Sequence, residues 1–100
     1  MKKITKTEVR KIILSDFYNH IETKFGKDWE LNFEDNDVII NPIFEGSNFA
    51  DDGISFRRST FSLCDYNWSC EKTKEDLVLM ENYLLSLINE METKHNVKFS

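Results

Sequence analysis

Carboxylate side chains are concentrated in one segment of this chain. Between residues 28 and 52 there are eight acidic residues and no Lys or Arg: Asp28, Glu30, Glu34, Asp35, Asp37, Glu45, Asp51 and Asp52. Carboxylates at this density, with no cation beside them in the sequence, have two chemical uses. They can ligate a hard metal ion, or they can present a negative field that attracts a basic surface.

The metal-binding use has little support from the order of the residues. Residues 34–37 (EDND) and 50–53 (ADDG) supply the oxygen ligands that Mg²⁺ and Ca²⁺ take, but the D-x-[DN]-x-[DN]-G order of a calcium loop is absent. Asp and Asn are also frequent in hairpin turns because they tolerate turn conformations. A small metal-dependent enzyme or metal-binding domain therefore stands as an alternative function, and we expect no cofactor.

Sulfur and imidazole ligands are also poorly placed for a zinc site. Five residues separate Cys64 from Cys70, more than the usual two to four, and His20 and His95 lie near opposite ends of the chain. Neither histidine can be assigned to a nucleophile by spacing, and both G-x-S-x-G and the glycine-rich phosphate loops are absent. We expect no catalytic residue and no enzymatic activity, with the cysteines as two free thiols or one disulfide.

One segment has the residue types of a single-stranded nucleic-acid site. Residues 54–68 combine Arg57 and Arg58 with four aromatic residues, which could hold phosphates and stack on bases. The net charge of −5 and the pI of about 5.0 oppose this use, because phosphate binding requires a basic footprint. We expect most of these aromatic side chains in the core and no direct contact with nucleic acid.

Two helices are predicted from capping residues and apolar spacing. Thr5 and Glu8 form a capping box, and apolar residues then recur at helical spacing until Gly26 offers a stop. Thr73 and Asp76 form a variant of the same box and begin a second helix, which is expected to end near residue 95 or 96. The main apolar stripe of that helix comprises Leu77, Met80, Leu84, Leu87, Ile88 and Met91.

Three strands are predicted between the helices. Residues 29–33 alternate apolar and polar side chains, and a turn joins them to the β-branched run 38–40, which indicates a hairpin. Pro42 ends the second strand or confines it to an edge. Residues 54–68 form a third strand whose alternation changes parity, which indicates a bulge or a break near residues 58–60. The tail, residues 97–100, is either a short final strand or frayed.

The order helix, strand, strand, strand, helix predicts an α+β fold. One apolar stripe on each helix allows both helices to pack on one face of an antiparallel sheet, which gives a two-layer structure. The sheet has three strands, or four if the tail pairs. The 100 residues, of which 40% are hydrophobic, match a single domain spanning residues 1–100 with one core.

A second set of apolar residues lies outside the main stripe of the C-terminal helix: Val78, Leu79, Tyr83 and Leu85. A helix that is apolar on more than one side usually has a second surface to bury. The sequence therefore predicts a homodimer with this helix at or near the interface. A structural or oligomerising module is a further alternative function.

The N-terminus begins with positive charge, as a signal peptide does. Its apolar run at residues 12–14 is interrupted after three residues by Ser15 and Asp16. A secretory segment or a membrane span needs a longer run. We expect a cytoplasmic protein without membrane contact.

The negative field is the better supported use of the acidic residues. Carboxylates on the hairpin and the following loop would steer the protein toward a basic partner surface, and such surfaces belong most often to proteins that handle nucleic acid. A merely solvated acidic face is the other interpretation. The predicted contact surface, which partly imitates the spacing of DNA phosphates, comprises Glu34, Asp35, Asp37, Glu45, Asp51 and Asp52.

In size, acidity and its Lys-, Asn- and Ile-rich, alanine-poor composition, the chain resembles small inhibitors encoded by phages, such as anti-CRISPR and anti-restriction proteins, and bacterial toxin-immunity proteins. The resemblance is to a class and rests on no specific motif. It implies a stoichiometric inhibitor of a nucleic-acid-processing protein that works by binding, without cofactor or catalysis.

Overall fold

The computed structural model describes residues 4–48 and 51–99 and shows an α+β fold of two helices and a four-stranded antiparallel sheet. The elements in chain order are α1 (Lys6–Phe25), β1 (Trp29–Phe33), β2 (Asp37–Pro42), β3 (Gly53–Arg57), β4 (Ser62–Asn67) and α2 (Glu71–His95). Each strand pairs with the next along the chain, so the sheet order is β1-β2-β3-β4. Neither helix of the described structure has an apolar stretch long enough to cross a membrane.

Helix α1 begins at the predicted capping box. The Thr5 hydroxyl oxygen accepts the Glu8 backbone N–H at 3.1 Å, and the same hydroxyl donates to the Glu8 carboxylate at 3.0 Å. The helix ends at Gly26, which caps it in a right-handed conformation. Its buried stripe has the predicted spacing and comprises Val9, Ile13, Phe17 and Ile21.

The first hairpin forms where the alternation predicted it. Trp29 of β1 lies opposite Pro42 of β2, and Pro42 is the last residue of its strand. Glu34 and Asp37 close the turn by exchanging two backbone hydrogen bonds, of 2.9 and 3.3 Å. The predictions of the hairpin and of a strand end at Pro42 are both confirmed.

The third predicted strand is two strands joined by a tight turn. β3 and β4 are separated by residues 58–61, which confirms the break expected near residues 58–60. Phe61 has a left-handed φ of 55° in this turn and is buried. A register shift between Ser55 and Phe56 adds a bulge. The turn accounts for the change of parity between Phe56 and Leu63, which pair with each other, and the bulge restores the first parity, so that Tyr66 pairs with Ile54. The turn also makes β4 the fourth strand of the sheet.

The described part of the tail, residues 97–99, does not pair with the sheet. Residues 97–99 have no regular secondary structure. Phe99 is nevertheless buried, and its ring meets the ring of Phe61 edge-on at a centroid distance of 5.0 Å. The tail is therefore neither a strand nor frayed as far as residue 99, because packing of one aromatic side chain holds it against the core.

Helix α2 begins earlier than the capping pattern indicated. Its N-cap is Cys70, and its first residue is Glu71, two residues before Thr73. Thr73 is fully buried, and its hydroxyl lies 3.2 Å from the Cys70 sulfur. The predicted capping role of Thr73 is wrong, because this side chain packs inward. The predicted end is confirmed, since Asn96 takes a left-handed conformation directly after the helix.

Both helices pack on the same face of the sheet. The core combines their buried stripes with side chains from alternate positions of the strands, among them Val38 and Ile40 of β2 and Ile54 and Phe56 of β3. Successive strand residues point to opposite faces. The other set of alternate positions therefore forms a face that no described helix covers, which is termed the helix-free face below.

Tyr83 of α2 packs against α1. Its ring stacks on His20 at a centroid distance of 3.6 Å and on Phe17 at 6.4 Å, and its hydroxyl donates a hydrogen bond to Asp16. The prediction that Tyr83 belongs to a second, unburied surface of the helix is therefore wrong. The hydrogen bond to Asp16, together with burial and the negative charge of Asp16, raises the pKa of Tyr83 to about 12.

This raised pKa should make stability sensitive to alkaline pH. Tyr83 ionises near pH 10 in the unfolded chain and at about 12 in the folded chain, so its contribution is complete below pH 10 and is lost as the pH rises through 12. Tyr83→Phe should lower the free energy of unfolding by about 1 to 2 kcal/mol at pH 7 and reduce its slope between pH 10 and 12. Urea denaturation of both proteins at several pH values measures this, and equal slopes would contradict the assignment.

Candidate functional site

Strand β2 separates the predicted acidic surface into two parts. Glu34, Asp35 and Asp37 lie in the turn before this strand and at its first residue. Glu45, Asp51 and Asp52 follow the strand and precede β3. β2 has six residues, so the two parts lie about 20 Å apart at opposite ends of the sheet. The structure does not bring the six predicted residues together in one patch.

At the turn end, Glu34 and Asp35 are exposed. Arg58 donates hydrogen bonds to the backbone carbonyls of both residues rather than to their carboxylates. Its guanidinium also lies 5.6 Å from the centre of the Phe33 ring. A cation therefore holds the backbone of the turn, while neither carboxylate has a hydrogen-bonded side-chain partner in the described part of the chain.

Asp37 is less available than its neighbours in the turn. It is half-buried at the start of β2 and lies opposite Arg57 of β3. Its Oδ1 atom is buried without a hydrogen-bond partner among residues 4–48 and 51–99. The carboxylate of Asp37 is therefore less accessible to a partner than the two exposed carboxylates before it.

At the loop end, Asp51 and Asp52 are neighbours in different environments. Asp51 is exposed, as is Glu45, and accepts a hydrogen bond from the Asn48 side-chain amide at 2.6 Å. Asp52 is 2% exposed, and its carboxylate accepts the Ser69 hydroxyl at 2.7 Å and the Asn48 N–H at 3.4 Å. The expectation that Asp52 shares an exposed binding surface is wrong, because this carboxylate ties the β2–β3 loop to the segment before α2.

The environment of Asp52 favours its charged form. Burial raises the pKa of this carboxyl, but hydrogen bonds from the Ser69 side chain and backbone, the Asn48 backbone and the Thr73 side chain outweigh burial. The resulting pKa lies below the ordinary value. Asp52 is therefore a structural carboxylate that is ionised at neutral pH.

Further carboxylates lie on the helix-free face between the two ends. Glu30 of β1 is exposed beside Asn41, and Asp65 of β4 is exposed beside Ser55. Asp65 lies outside the acidic segment, within the aromatic segment of residues 54–68. Parity gives no signal of it, because Leu63 has the same parity but pairs with Phe56 on the core side, and only the bulge between them turns Asp65 to the helix-free face.

A shallow depression of about 440 Å³ lies on the helix-free face near the loop end. Gly53 contributes to its floor with a φ of 149°, and a Cβ there would lie 2.7 Å from the Ile40 carbonyl oxygen, so this position requires glycine. The polar lining contains carboxylates, amides and a hydroxyl and no basic side chain: Asn41, Asp51, Asp52, Ser55, Asp65 and Asn67.

The helix-free face, the turn before β2 and the exposed loop after it are together termed the acidic face. In the described structure its basic side chains are Arg57 and Arg58, both at the turn end. Among the described residues, the side-chain ion pairs are formed by Lys72 with Asp28 and Asp76, on the helix side. The carboxylates of the acidic face are Glu30, Glu34, Asp35, Asp37, Glu45, Asp51 and Asp65.

The chemistry that this surface offers is negative charge and hydrogen-bond acceptance. Within residues 4–48 and 51–99, no three His, Cys, Asp or Glu side chains are close enough to share a metal ion. Asp65, for example, uses one oxygen to accept the Tyr66 N–H at 2.8 Å and the Asn67 amide at 3.0 Å. Cys64 and Cys70 are free thiols. The arrangement suits recognition of a cationic surface.

Divalent ions are expected to have little effect on stability. If the acidic face is a solvated recognition surface, about 5 mM Mg²⁺ or Ca²⁺ should shift the melting temperature by less than about 1 °C, because mass action requires a tight native-state site for a large shift. EDTA should leave the melting temperature unchanged. Differential scanning calorimetry measures both, and a rise of about 5 °C or more would favour the metal-binding alternative.

Comparison of the chain with protein-family models, with curated proteins and with solved structures gives no match. Its function is therefore inferred from its own geometry.

Proposed function

We propose that the protein is a small acidic binding protein that recognises a basic surface on a protein partner through its acidic face. The charge of that face is the observation that supports this most, since seven carboxylates stand against two arginines. Such an excess attracts a basic partner from a distance and discriminates against acidic ones. No described helix covers the helix-free face, so a partner reaches it without rearranging the core.

The spacing of the carboxylates suggests the class of partner. The acidic face extends about 20 Å along β2, which matches the rise of about six nucleotides along one DNA strand. Carboxylates at both ends of this length and between them can take the places of phosphates in a basic groove. We therefore propose a stoichiometric inhibitor of a nucleic-acid-processing protein, of the phage anti-defence or immunity type, that needs neither cofactor nor catalysis.

Affinity capture with three forms of the protein tests this proposal. A face variant neutralises three exposed carboxylates of the acidic face, Glu30→Gln, Glu34→Gln and Asp35→Asn. A helix variant removes the same charge from exposed positions of the two helices, Glu22→Gln, Glu75→Gln and Glu90→Gln. All six side chains are exposed, so neither variant should disturb the fold.

The three forms are immobilised and exposed to a nuclease-treated lysate of the native host, and mass spectrometry identifies what each retains. We expect the wild type and the helix variant to retain the same protein, one with a basic nucleic-acid-binding surface, and the face variant to lose it. Equal retention by all three forms would contradict the role of the acidic face. A shared partner without a basic surface would contradict the proposed class.

A further inference from the structure

Helix α2 has one flank that faces α1. Tyr83 on this flank donates its hydroxyl hydrogen to Asp16 of α1. About two turns earlier on the same flank, Asp76 accepts the indole N–H of Trp29 at 2.9 Å. These two contacts define the inner flank of α2, which is closed by the rest of the molecule.

The opposite flank of α2 lies above the edge strand β4. The Lys74 ammonium is 5.6 Å from the centre of the Trp68 ring, just beyond the end of β4. Glu81 follows Lys74 by seven residues, or about two turns, and so lies on the same flank. Its charge adds to the effect of burial in raising the pKa of Tyr66 of β4. Lys74 and Glu81 therefore mark an outer flank that faces away from α1.

The outer flank carries an uncovered apolar stripe. Val78 and Leu85 share it with Lys74 and Glu81, since the four residues are spaced by four, three and four positions. Val78 is 40% exposed and Leu85 is 49% exposed, and Trp68, which lies against Lys74, is 46% exposed. α2 packs over β3, so β4 projects beyond the helix layer and leaves these side chains open to one side.

We propose that this outer flank is the contact surface between two copies of the chain. A two-fold axis near Val78 sets the two α2 helices antiparallel, with each Val78 close to its equivalent. Lys74 lies four residues before Val78 and Glu81 three residues after it, so the same alignment brings Lys74 of each copy against Glu81 of the other. Leu85 then reaches the exposed Trp68 of the second copy.

Charge complementarity selects a second copy as the occupant. In the outer flank, Lys74 precedes Val78 and Glu81 follows it. A two-fold rotation near Val78 therefore places the cation of one copy opposite the anion of the other, so the surface is complementary to itself. Side chains rather than main-chain pairing make the contact, because the Asp65 carboxylate already accepts the Tyr66 N–H of β4 and a bulge interrupts that edge. The acidic face lies on the other side of the sheet and stays accessible in such a dimer.

Sedimentation equilibrium or light scattering over about 5 to 500 µM tests the proposal with a matched pair of variants. The wild type should reach a mass of about 24 kDa, twice 11.9 kDa. Leu85→Glu should raise the dissociation constant at least about tenfold, because it places a charge in the apolar contact. Leu79→Glu adds the same charge to the same helix at a position that is 56% exposed but outside the outer flank, and it should change the constant less than about twofold.

A charge exchange tests the alignment itself without touching an apolar residue. Lys74→Glu alone and Glu81→Lys alone should each raise the dissociation constant about threefold to tenfold, because like charges then face each other. The double variant restores both pairs in reverse order and should return within about twofold of the wild type. A wild-type mass of 11.9 kDa over the whole range overturns the proposal. Equal effects of Leu85→Glu and Leu79→Glu, or a double variant as weak as the two single variants combined, also overturn it.

Discussion

Replacing Asp52 with alanine is expected to lower the free energy of unfolding by about 2 to 3 kcal/mol at pH 7. Asp52 is 2% exposed, and its carboxylate accepts hydrogen bonds from the Ser69 hydroxyl and the Asn48 N–H. Alanine leaves these donors without a partner where the β2–β3 loop meets the segment before α2. Urea denaturation followed by circular dichroism measures the loss.

Asp51 provides the matched control for this prediction. Asp51→Ala removes the same charge one residue earlier in the chain, but Asp51 is exposed, and its carboxylate accepts a hydrogen bond from the side chain of Asn48. The expected change in the free energy of unfolding is within about 0.5 kcal/mol. Equal losses for the two variants would contradict the structural role assigned to Asp52.

The Asp52 carboxylate should also affect how the free energy of unfolding depends on pH in acid. Its pKa is lower in the folded protein than the ordinary value of 3.8, so its contribution is present above pH 3.8 and is lost as the pH falls through the folded value. Asp52→Asn should therefore show a smaller loss of stability than the wild type when the pH is lowered below 4. Denaturation curves of both proteins between pH 2 and pH 7 provide the comparison.

The face variant is expected to bind the captured partner at least about 30-fold more weakly than the wild type. Three interfacial charges worth about 0.7 kcal/mol each give about 2 kcal/mol, and most of this should appear in the association rate. Raising the salt from 0.1 to 1 M shortens the screening length from about 10 Å to about 3 Å. The association rates of the wild type and the face variant should therefore converge at high salt, which surface plasmon resonance can follow.

The helix variant separates the acidic face from overall charge. It carries the same net charge as the face variant, and we expect its affinity to stay within about threefold of the wild type. A loss equal to that of the face variant would show that only net charge matters. No loss in either variant would identify the EDND turn as a solvated turn.

Glu92 also lies on α2, but it is unsuitable for this control. Its position in the helical pattern predicts an exposed side chain, whereas its carboxylate accepts the backbone N–H of Phe99 at 2.8 Å and so helps to hold the tail. Neutralising it would mix a structural effect with a charge effect. Such a contact depends on how the tail folds back on the helix, and the helical pattern carries no signal of it.

Local patterns were sufficient for the elements whose boundaries depend on local contacts. The capping box at Thr5 and the hairpin around the EDND turn are made by residues three positions apart, and both are confirmed. The start of α2 was misplaced because Thr73 has the right type and spacing for a cap but packs into the core beside Cys70. A capping motif shows that a residue is able to cap a helix, but tertiary packing determines whether its side chain does so.

The candidate site was harder to predict because its members are related through the sheet. Nothing in the sequence distinguishes Asp51 from Asp52, and the contact that buries Asp52 comes from Ser69, seventeen residues later. The separation of the acidic segment into two parts could have been predicted from the sequence, because the turn before a strand and the loop after it lie at opposite ends of that strand. Asp65 joins the acidic face only through the register of β3 and β4.

Competition between this protein and duplex DNA for the captured partner tests the central claim most directly. The partner is first loaded with a fluorescently labelled duplex, and the wild type, the helix variant and the face variant are then titrated in at 0.1 M salt. The proposed function predicts that the first two displace the DNA stoichiometrically and that the face variant requires at least about 30-fold higher concentration. A ternary complex in which the partner holds the duplex and this protein together would contradict the claim that the acidic face occupies a nucleic-acid-binding surface.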